Sequence, residues 1–414
     1  MKAKKNPSLK PIKLKRQWRV RQPANRLPIL FIDQKRASLC FALFLLLLIY
    51  TPPLYSFSRL GLWVVRDDIT SKEKIDQLFD FAEKNHVSDL FIQVRGRGDA
   101  YYESRFISKS EHIKDRDFDP LLYACSKAFA SPIKIHAWFN TYLLYSNHFS
   151  LPPDEHIFNL FPEWLEMSSD GVWDNVRLYQ TPQPRWHEGA FLSPIHPRVN
   201  DYLLILVKEI MTKYLVDGIH FDYLRYQNRQ FGYNPSGRER FREETGIDPA
   251  RYMSGGSAPD RKTFLLLYDQ YRMNSITDFL SKVQAANQEL IFPLEISAAV
   301  KSDPLKAKRE FFQDWGSWLL SNKVDFIIPM MYDTDLKRFD QILKNIDSVV
   351  PPAYREKIWG GIGVWNQPWH DTAQKINRIK AHKYDKIAFF SWKVLRENPA
   401  YFQSLQKFLN LDKE

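Results

Sequence analysis

The segment "LVDGIHFDYLRYQ", residues 215 to 227, places an aspartate, Asp222, at the end of an apolar, β-prone run and follows it with Tyr223, Leu224, Arg225 and Tyr226. A carboxylate at a strand tip can carry a proton, act as a nucleophile or bind a ligand hydroxyl. It can also simply cap a turn. Three other acids sit near similar strand-like runs: Glu295 in "PLEISAAV", Asp333 after "IIPMMY", and Asp303 a few residues beyond Glu295. Which of these meet depends on the elements that carry them.

From residue 60 onward, short β-like runs alternate with helical ones. The strand candidates are "GLWVV" (61–65), "DLFIQVR" (89–95), "IKIHAWFN" (133–140), "DGIHFD" (217–222), "PLEISAA" (293–299), "DFIIPMMY" (325–332), "IWGGIGV" (358–364) and "KIAFFSW" (386–392). Between the first two, Ile75, Leu78, Phe79 and Ala82 recur at helical spacing. Eight strands in β-α alternation predict an α/β fold, a single (β/α)8 TIM barrel, with an open doubly wound sheet as the other solution. A Gly-rich nucleotide loop does not follow the first strand, which argues against a dinucleotide-binding version. Two connections are long, 141 to about 196 and 227 to about 262. In a barrel both belong to the C-terminal face, where active sites lie. The first is aromatic (Phe149, Phe158, Phe161, Trp164, Trp173, Trp186) and reads as an ordered wall; the second is polar.

Strand alternation assigns faces. On the fourth strand Ile219, Phe221 and Tyr223 should meet the helices, leaving His220 and Asp222 inside. On the third, His136, Trp138 and Asn140 point in; on the second, Gln93 and Arg95; on the fifth, Glu295 and Ser297. The sixth ends in Tyr332 and Asp333, and the eighth in Trp392. Polar and aromatic residues thus gather where a purely structural barrel would place branched aliphatics. Bland readings stand beside these. Asp217 starts its strand and reads as a cap, His220 as a core histidine as readily as a contact, Glu295 as a partner of Arg95, and Asp333 as a turn cap with Asp335. Asp222 is the residue best explained by function.

The net charge of +11 is local. Residues 1–36 hold twelve Lys or Arg and one acid, Asp33, while the remainder balances at 47 against 47. The folded part therefore has no global attraction to phosphate, and no nucleic-acid partner is expected. Residues 37–56, "ASLCFALFLLLLIYTPPLYS", read as a signal peptide or a signal-anchor helix, with a membrane as partner if uncleaved. The basic flank predicts export of residues 57–414 to a periplasmic or extracellular face. Cys40 and Cys125, far apart, make no disulfide framework. Neither a metal nor a cofactor is expected.

The stretches "VRGRGDAYYESRF", "IHAWFNTY", "FPEW", "LSPIHPRVNDYLLILVKEIMTKYLVDGIHFDYLRY", "DFIIPMMYD" and "FFSW" resemble the bacterial glycoside-hydrolase-like family ten proteins, over most of residues 60–395. The resemblance implies a barrel acting on polysaccharide, with Asp222 matching the acid at the end of the fourth strand. Two features depart from the family: the opening strand reads Gly61-Leu62-Trp63 without its arginine, and "PLEISAAV" lacks its glycine-serine-proline pattern. A looser similarity links "DGIHFDY" and "MMYD" to family 18 chitinases, but the position of their catalytic glutamate is Leu224 here.

Glycosidic cleavage uses two carboxyl groups, about 5–5.5 Å apart in retaining enzymes and about 6.5–9.5 Å in inverting ones. Asp222 and Glu295, on adjacent strands, form the expected catalytic pair, with Asp333 or Asp303 in reserve. Trp138, Tyr332, Trp365 and Trp392 would offer sugar platforms. Arg95, His136, Asn140, His220 and Tyr226 would contact the polysaccharide or oligosaccharide. The competing readings are a non-catalytic glycan-binding barrel and a metal-dependent polysaccharide deacetylase. The latter is weakened because "HPRVND" holds a single histidine.

Overall fold

All eight strand candidates fold as strands, and each pairs in parallel with its neighbours in chain order. They are β1 (Arg59–Val64), β2 (Asp89–Arg95), β3 (Lys134–Asn140) and β4 (Gly218–Asp222). They continue as β5 (Glu295–Lys301), β6 (Phe326–Met330), β7 (Gly360–Gly363) and β8 (Lys386–Phe390). β8 pairs back onto β1, which closes the barrel and excludes the open sheet. The computed structural model describes residues 57–409 apart from 147–149, 181, 183–186, 250–251 and 253–260. The basic tail, the apolar run 37–56, Phe149 and Trp186 lie outside the described residues. Among the described residues no helix is long and apolar enough to cross a membrane.

Local sequence explains the elements. The helix Lys72–Lys84 starts where Ser71 accepts the N–H of Lys74, and it buries Ile75, Leu78, Phe79 and Ala82 on one face. The helices Val199–Lys213 and Arg261–Gln288 pack against each other outside β3 and β4. In β3 the pleat sends Ile135, Ala137 and Phe139 to this outer core and Trp138 to the barrel interior. That interior is aromatic: Trp63, Phe91, Trp138, Phe326 and Trp359 form one buried cluster. Glycines make room for them. A Cβ on Gly61 would stand 2.7 Å from the Phe91 ring, and one on Gly361 would meet Trp63 at 3.0 Å and the Pro329 carbonyl at 2.5 Å.

The floor is ionic. Arg59 at the start of β1 forks between Asp89 of β2 and Glu295 of β5, its Nη2 2.8 Å from Glu295 Oε2. His136 Nε2 is 2.9 Å from Asp89, and Lys134 Nζ reaches Glu295 at 3.1 Å. Burial opposes the ionisation of Asp89, yet His136 and Arg59 outweigh it and hold its pKa down to about 2. Asp217 does serve as a strand-start acceptor, taking the Ile135 N–H at 2.7 Å.

The two long connections are stitched together. The buried Glu166 accepts the Gly232 N–H at 2.8 Å, Ser169 donates to the Gln230 carbonyl at 2.7 Å, and Tyr233 donates to that of Met167 at 3.1 Å. A two-stranded ribbon, Leu143–Tyr145 with Ala190–Phe191, anchors the first connection beside the strand ends. Phe161 stacks on Trp164 at 4.5 Å within it.

Candidate active site

At the C-terminal ends of the strands lies a cavity of about 390 Å³, within the range of ligand-binding clefts. Trp63, Trp138, Ala299 and Met330 line its depth, and Tyr332, Trp365 and Phe390 form an aromatic wall. Tyr332 meets Trp365 edge-on at 4.8 Å, and Trp365 meets Phe390 at 5.2 Å. Across from them runs a polar arc. Arg66 Nη1 donates to Gln93 at 3.1 Å, Gln93 Nε2 donates to Asn140 at 3.4 Å, and Asn140 Nδ2 donates to the Gly96 carbonyl at 3.0 Å.

Asp222, the last residue of β4, is the one carboxylate among the described residues lining this cavity. Its Oδ1 accepts the N–H of Tyr223 at 2.6 Å. Tyr223 takes a left-handed backbone, φ 51°, which ends the strand and turns its ring into the cavity rather than onto the helices as alternation predicts. Burial pushes the Asp222 pKa up to about 6. The Tyr223 N–H and Arg225 oppose the rise, and the charge of Glu188 adds to it. The carboxyl is thus poised to hold or release a proton near neutrality.

Beside Asp222 stands a group that the sequence did not announce. Glu188, from the first long connection, pairs with Arg225 and, at 3.4 Å, with Lys301 at the end of β5. Burial disfavours its charge, but the two cations prevail and hold its pKa below the usual carboxylate range. Lys301 is pushed down to about 8, first by the neighbouring Arg225 charge and then by burial. Lys301 was within reach of sequence reasoning, since counting Glu295, Ser297, Ala299, Lys301 along one face brings it to the strand tip. Glu188, in "WHEGA", carried no such periodic signal.

Several expected contacts are not made in the cavity. Glu295 is level with Gly218, at the opposite end of the barrel from Asp222, so the expected Asp222–Glu295 pair does not form. The strand begins at Glu295, two residues later than the run "PLEISAA" (293–299) predicts. His136 belongs to the same ionic floor. His220 sits in the middle layer, accepting from Trp63 Nε1 at 3.1 Å and bonded to Ser297 at 2.9 Å. Arg95 points out of the barrel, because β2 shifts register against β3 between Gln93 and Arg95. There it bonds the carbonyls of Asn140 and Thr141 and lies 4.9 Å over Phe139. Its expected partnership with Glu295 is absent.

Tyr226 is buried beneath the second long connection, its hydroxyl 2.9 Å from that of Ser275. Trp392 is buried under Arg396 at the start of the next helix, and Phe390 takes its expected place. Asp333 accepts the Asp335 N–H at 3.0 Å as a turn cap, and Asp303 caps the helix Pro304–Phe311. Trp138, Asn140, Tyr332 and Trp365 do line the cavity with Asp222. Among the described residues, Asp89, His136 and Glu295 are the one group with three metal-type donors within 4.8 Å, and the Arg59 guanidinium serves as their cation.

A family model described as glycosyl hydrolase-like 10 matches residues 55–357. A glycosyl hydrolase of Bacillus subtilis, YngK, is 22% identical over 367 residues, covering 79% of this chain and 64% of that protein. The glycosyl hydrolase DigH of Escherichia coli K12 is 24% identical over 323 residues, 72% of this chain and 67% of that one. The chain thus spans about two thirds of the length of these curated relatives. An S-layer-related protein of Niallia circulans is 24% identical over 349 residues, 75% of this chain and 20% of that protein. Among solved structures, the glycoside hydrolase domain of PgaB (BpsB) from Bordetella bronchiseptica superposes with a TM-score of 0.61 at 13% identity, covering 84% of this chain and 97% of that one. The catalytic domain of a β-amylase from Paenibacillus polymyxa gives 0.52 at 12% identity, over 80% and 92%. These two likenesses concern the fold.

Proposed function

Because the chain belongs to the glycosyl hydrolase-like 10 family, we propose that it is an exported hydrolase of glycosidic bonds in a polysaccharide of the cell envelope, with Asp222 as its proton-carrying group. The observation that carries this reading is the placement of Asp222. A carboxyl with a pKa raised to about 6 stands at a barrel-strand tip, in an aromatic cavity with a polar arc of Arg66, Gln93 and Asn140 opposite. The protonated form can give its proton to a leaving glycosidic oxygen while Trp138, Tyr332 and Trp365 present apolar faces to the sugar rings. The nucleophile is then water or a group of the substrate, and Glu188 is the further carboxylate that acts on Asp222 electrostatically. The leucine-rich run 37–56 behind a basic tail is the basis for export and for a membrane tether where it is retained.

One observation favours a second reading, a glycan-binding barrel without turnover: a single carboxylate lines the cavity among the described residues. One experiment separates the two. Detergent-solubilised full chain and its Asp222→Asn variant are incubated with a panel of cell-wall and storage glycans, and new saccharide fragments are sought by mass spectrometry. Fragments from the unaltered chain alone support hydrolysis through Asp222. Glycan binding with no product from either protein supports the binding barrel.

A further inference from the structure

The first long connection does more than wall the cavity. Gly189, at φ 142°, lets the chain turn against the Tyr145 carbonyl, where any Cβ would stand at 2.5 Å. That turn sets Glu188 beside the tip of β4. The backbone there is braced: the Glu188 N–H donates to Gln227 Oε1 at 2.6 Å, and Gln227 Nε2 donates back to the Gly189 carbonyl at 3.3 Å and to Asp174 at 3.2 Å. Asp174 in turn accepts the Phe191 N–H at 2.8 Å and lies 2.7 Å from His187 Nε2. Five hydrogen bonds therefore brace the backbone that carries this carboxylate, whose two oxygens each meet a different cation, Arg225 and Lys301.

The charges of those two cations also act on Asp222, yet among the described side chains neither donates to it. Arg225 is held over Tyr223 at 5.0 Å and Phe311 at 5.4 Å, and Lys301 over Phe311 at 4.9 Å. We propose that Glu188 is a positioning residue of this site: by engaging Arg225 and Lys301 in ion pairs, it keeps both cations from locking Asp222 as a paired carboxylate. This role rests on the reading of Asp222 as the proton carrier and says how that proton is retained. The charged and titratable groups facing Asp222 are Tyr223 and Arg225 from the following loop, Glu188, Lys301 of β5, Tyr332 beyond β6, and Arg66 and Arg97 across the cavity. Without Glu188 that set is cationic, and a carboxylate at Asp222 becomes the natural partner for a freed guanidinium or ammonium.

The test needs no substrate. Proton uptake by the solubilised full chain is titrated between pH 4 and 8, and the curve of Asp222→Asn is subtracted to isolate the Asp222 proton. The same subtraction is made in a Glu188→Gln background, which keeps the backbone bond to Gln227, and in a Lys301→Met background. The expected result is a midpoint near pH 6 in the unaltered chain, at least one unit lower with Glu188→Gln, and higher with Lys301→Met. A midpoint unmoved or raised by Glu188→Gln overturns the proposal, as does an ordinary carboxylate midpoint in the unaltered chain. A merely structural Glu188 would lower the melting temperature and leave the Asp222 midpoint in place. A shifted midpoint without saccharide fragments from any glycan would sink the hydrolase reading while the coupling of Glu188 to Asp222 stands.

Discussion

Asp222 closes β4 and Glu295 opens β5, and Glu295 pairs in register with Gly218, four residues below Asp222. At about 3.3 Å per residue the two carboxylates are separated by roughly 13 Å along the barrel, beyond either glycosidase geometry. Glu295 instead neutralises Arg59 and Lys134. Glu295→Gln is therefore expected to leave kcat/KM on any responsive glycan within about threefold while costing about 1 kcal/mol of stability by removing a half-exposed charged acceptor. Thermal melting beside initial rates checks it. A collapse of rate with an unchanged melting temperature would place Glu295 back in the chemistry.

The raised pKa of Asp222 makes the folded chain bind a proton that the unfolded chain has already released between about pH 4 and pH 6. Stability is thus highest below that window and is lost as pH rises through it, by about 3 kcal/mol. Asp222→Asn, neutral at every pH, is expected to melt a few degrees higher than the unaltered chain at pH 7 and no higher at pH 4. Equal melting at both pH values would mean that the carboxyl is not desolvated.

If the protonated form of Asp222 serves the leaving oxygen, turnover falls as pH rises past about 6, by about tenfold per unit once the acid is mostly ionised. His220 adds no limb in that range. Burial, then the nearby His136, hold its pKa well below the usual histidine value, and its ring is engaged by Trp63 and Ser297. A rate that climbs through pH 6 would assign Asp222 the role of base.

Trp365 is 47% exposed at the lip of the cavity while its edge is held by Tyr332 and Phe390. As the sugar platform proposed above, it would contribute binding common to ground and transition states. Trp365→Ala is expected to raise KM or weaken glycan binding by about tenfold, roughly 1.4 kcal/mol, with kcat nearly unchanged. An equal loss in kcat would show that the ring orders the reacting sugar.

The barrel was legible because period-two alternation and β-α spacing are local signals, and all eight strands fell where the apolar runs lie. Inward facing was legible too: Trp138, Asn140, His220 and Asp222 all point inside. Depth was not. Alternation gives a face and says nothing of height, so it cannot separate His136 and Glu295, level with Gly218 near the starts of their strands, from Asp222 at the far end. Two local irregularities reversed a face, the register slip before Arg95 and the left-handed backbone of Tyr223. Glu188 was hidden for a different reason. It reaches the site through the tertiary path of a long connection, fixed by Gly189 and Gln227, which no sequence period records.

The ionic floor has a meaning for how the chain assembles. Arg59 and Glu295 are 236 residues apart, on strands that face each other across the barrel, while Asp89 and His136 lie in the sequence between them. As the polypeptide is made from its N-terminus, Arg59, Asp89 and His136 exist long before their last partner. A fragment ending ahead of β5 leaves the guanidinium fork half filled and the barrel's underside open to water. The floor therefore acts as a latch across the midline of the fold. Its completion awaits the fifth strand, while the barrel itself closes only when β8 pairs with β1, so neither half of the chain completes the fold alone.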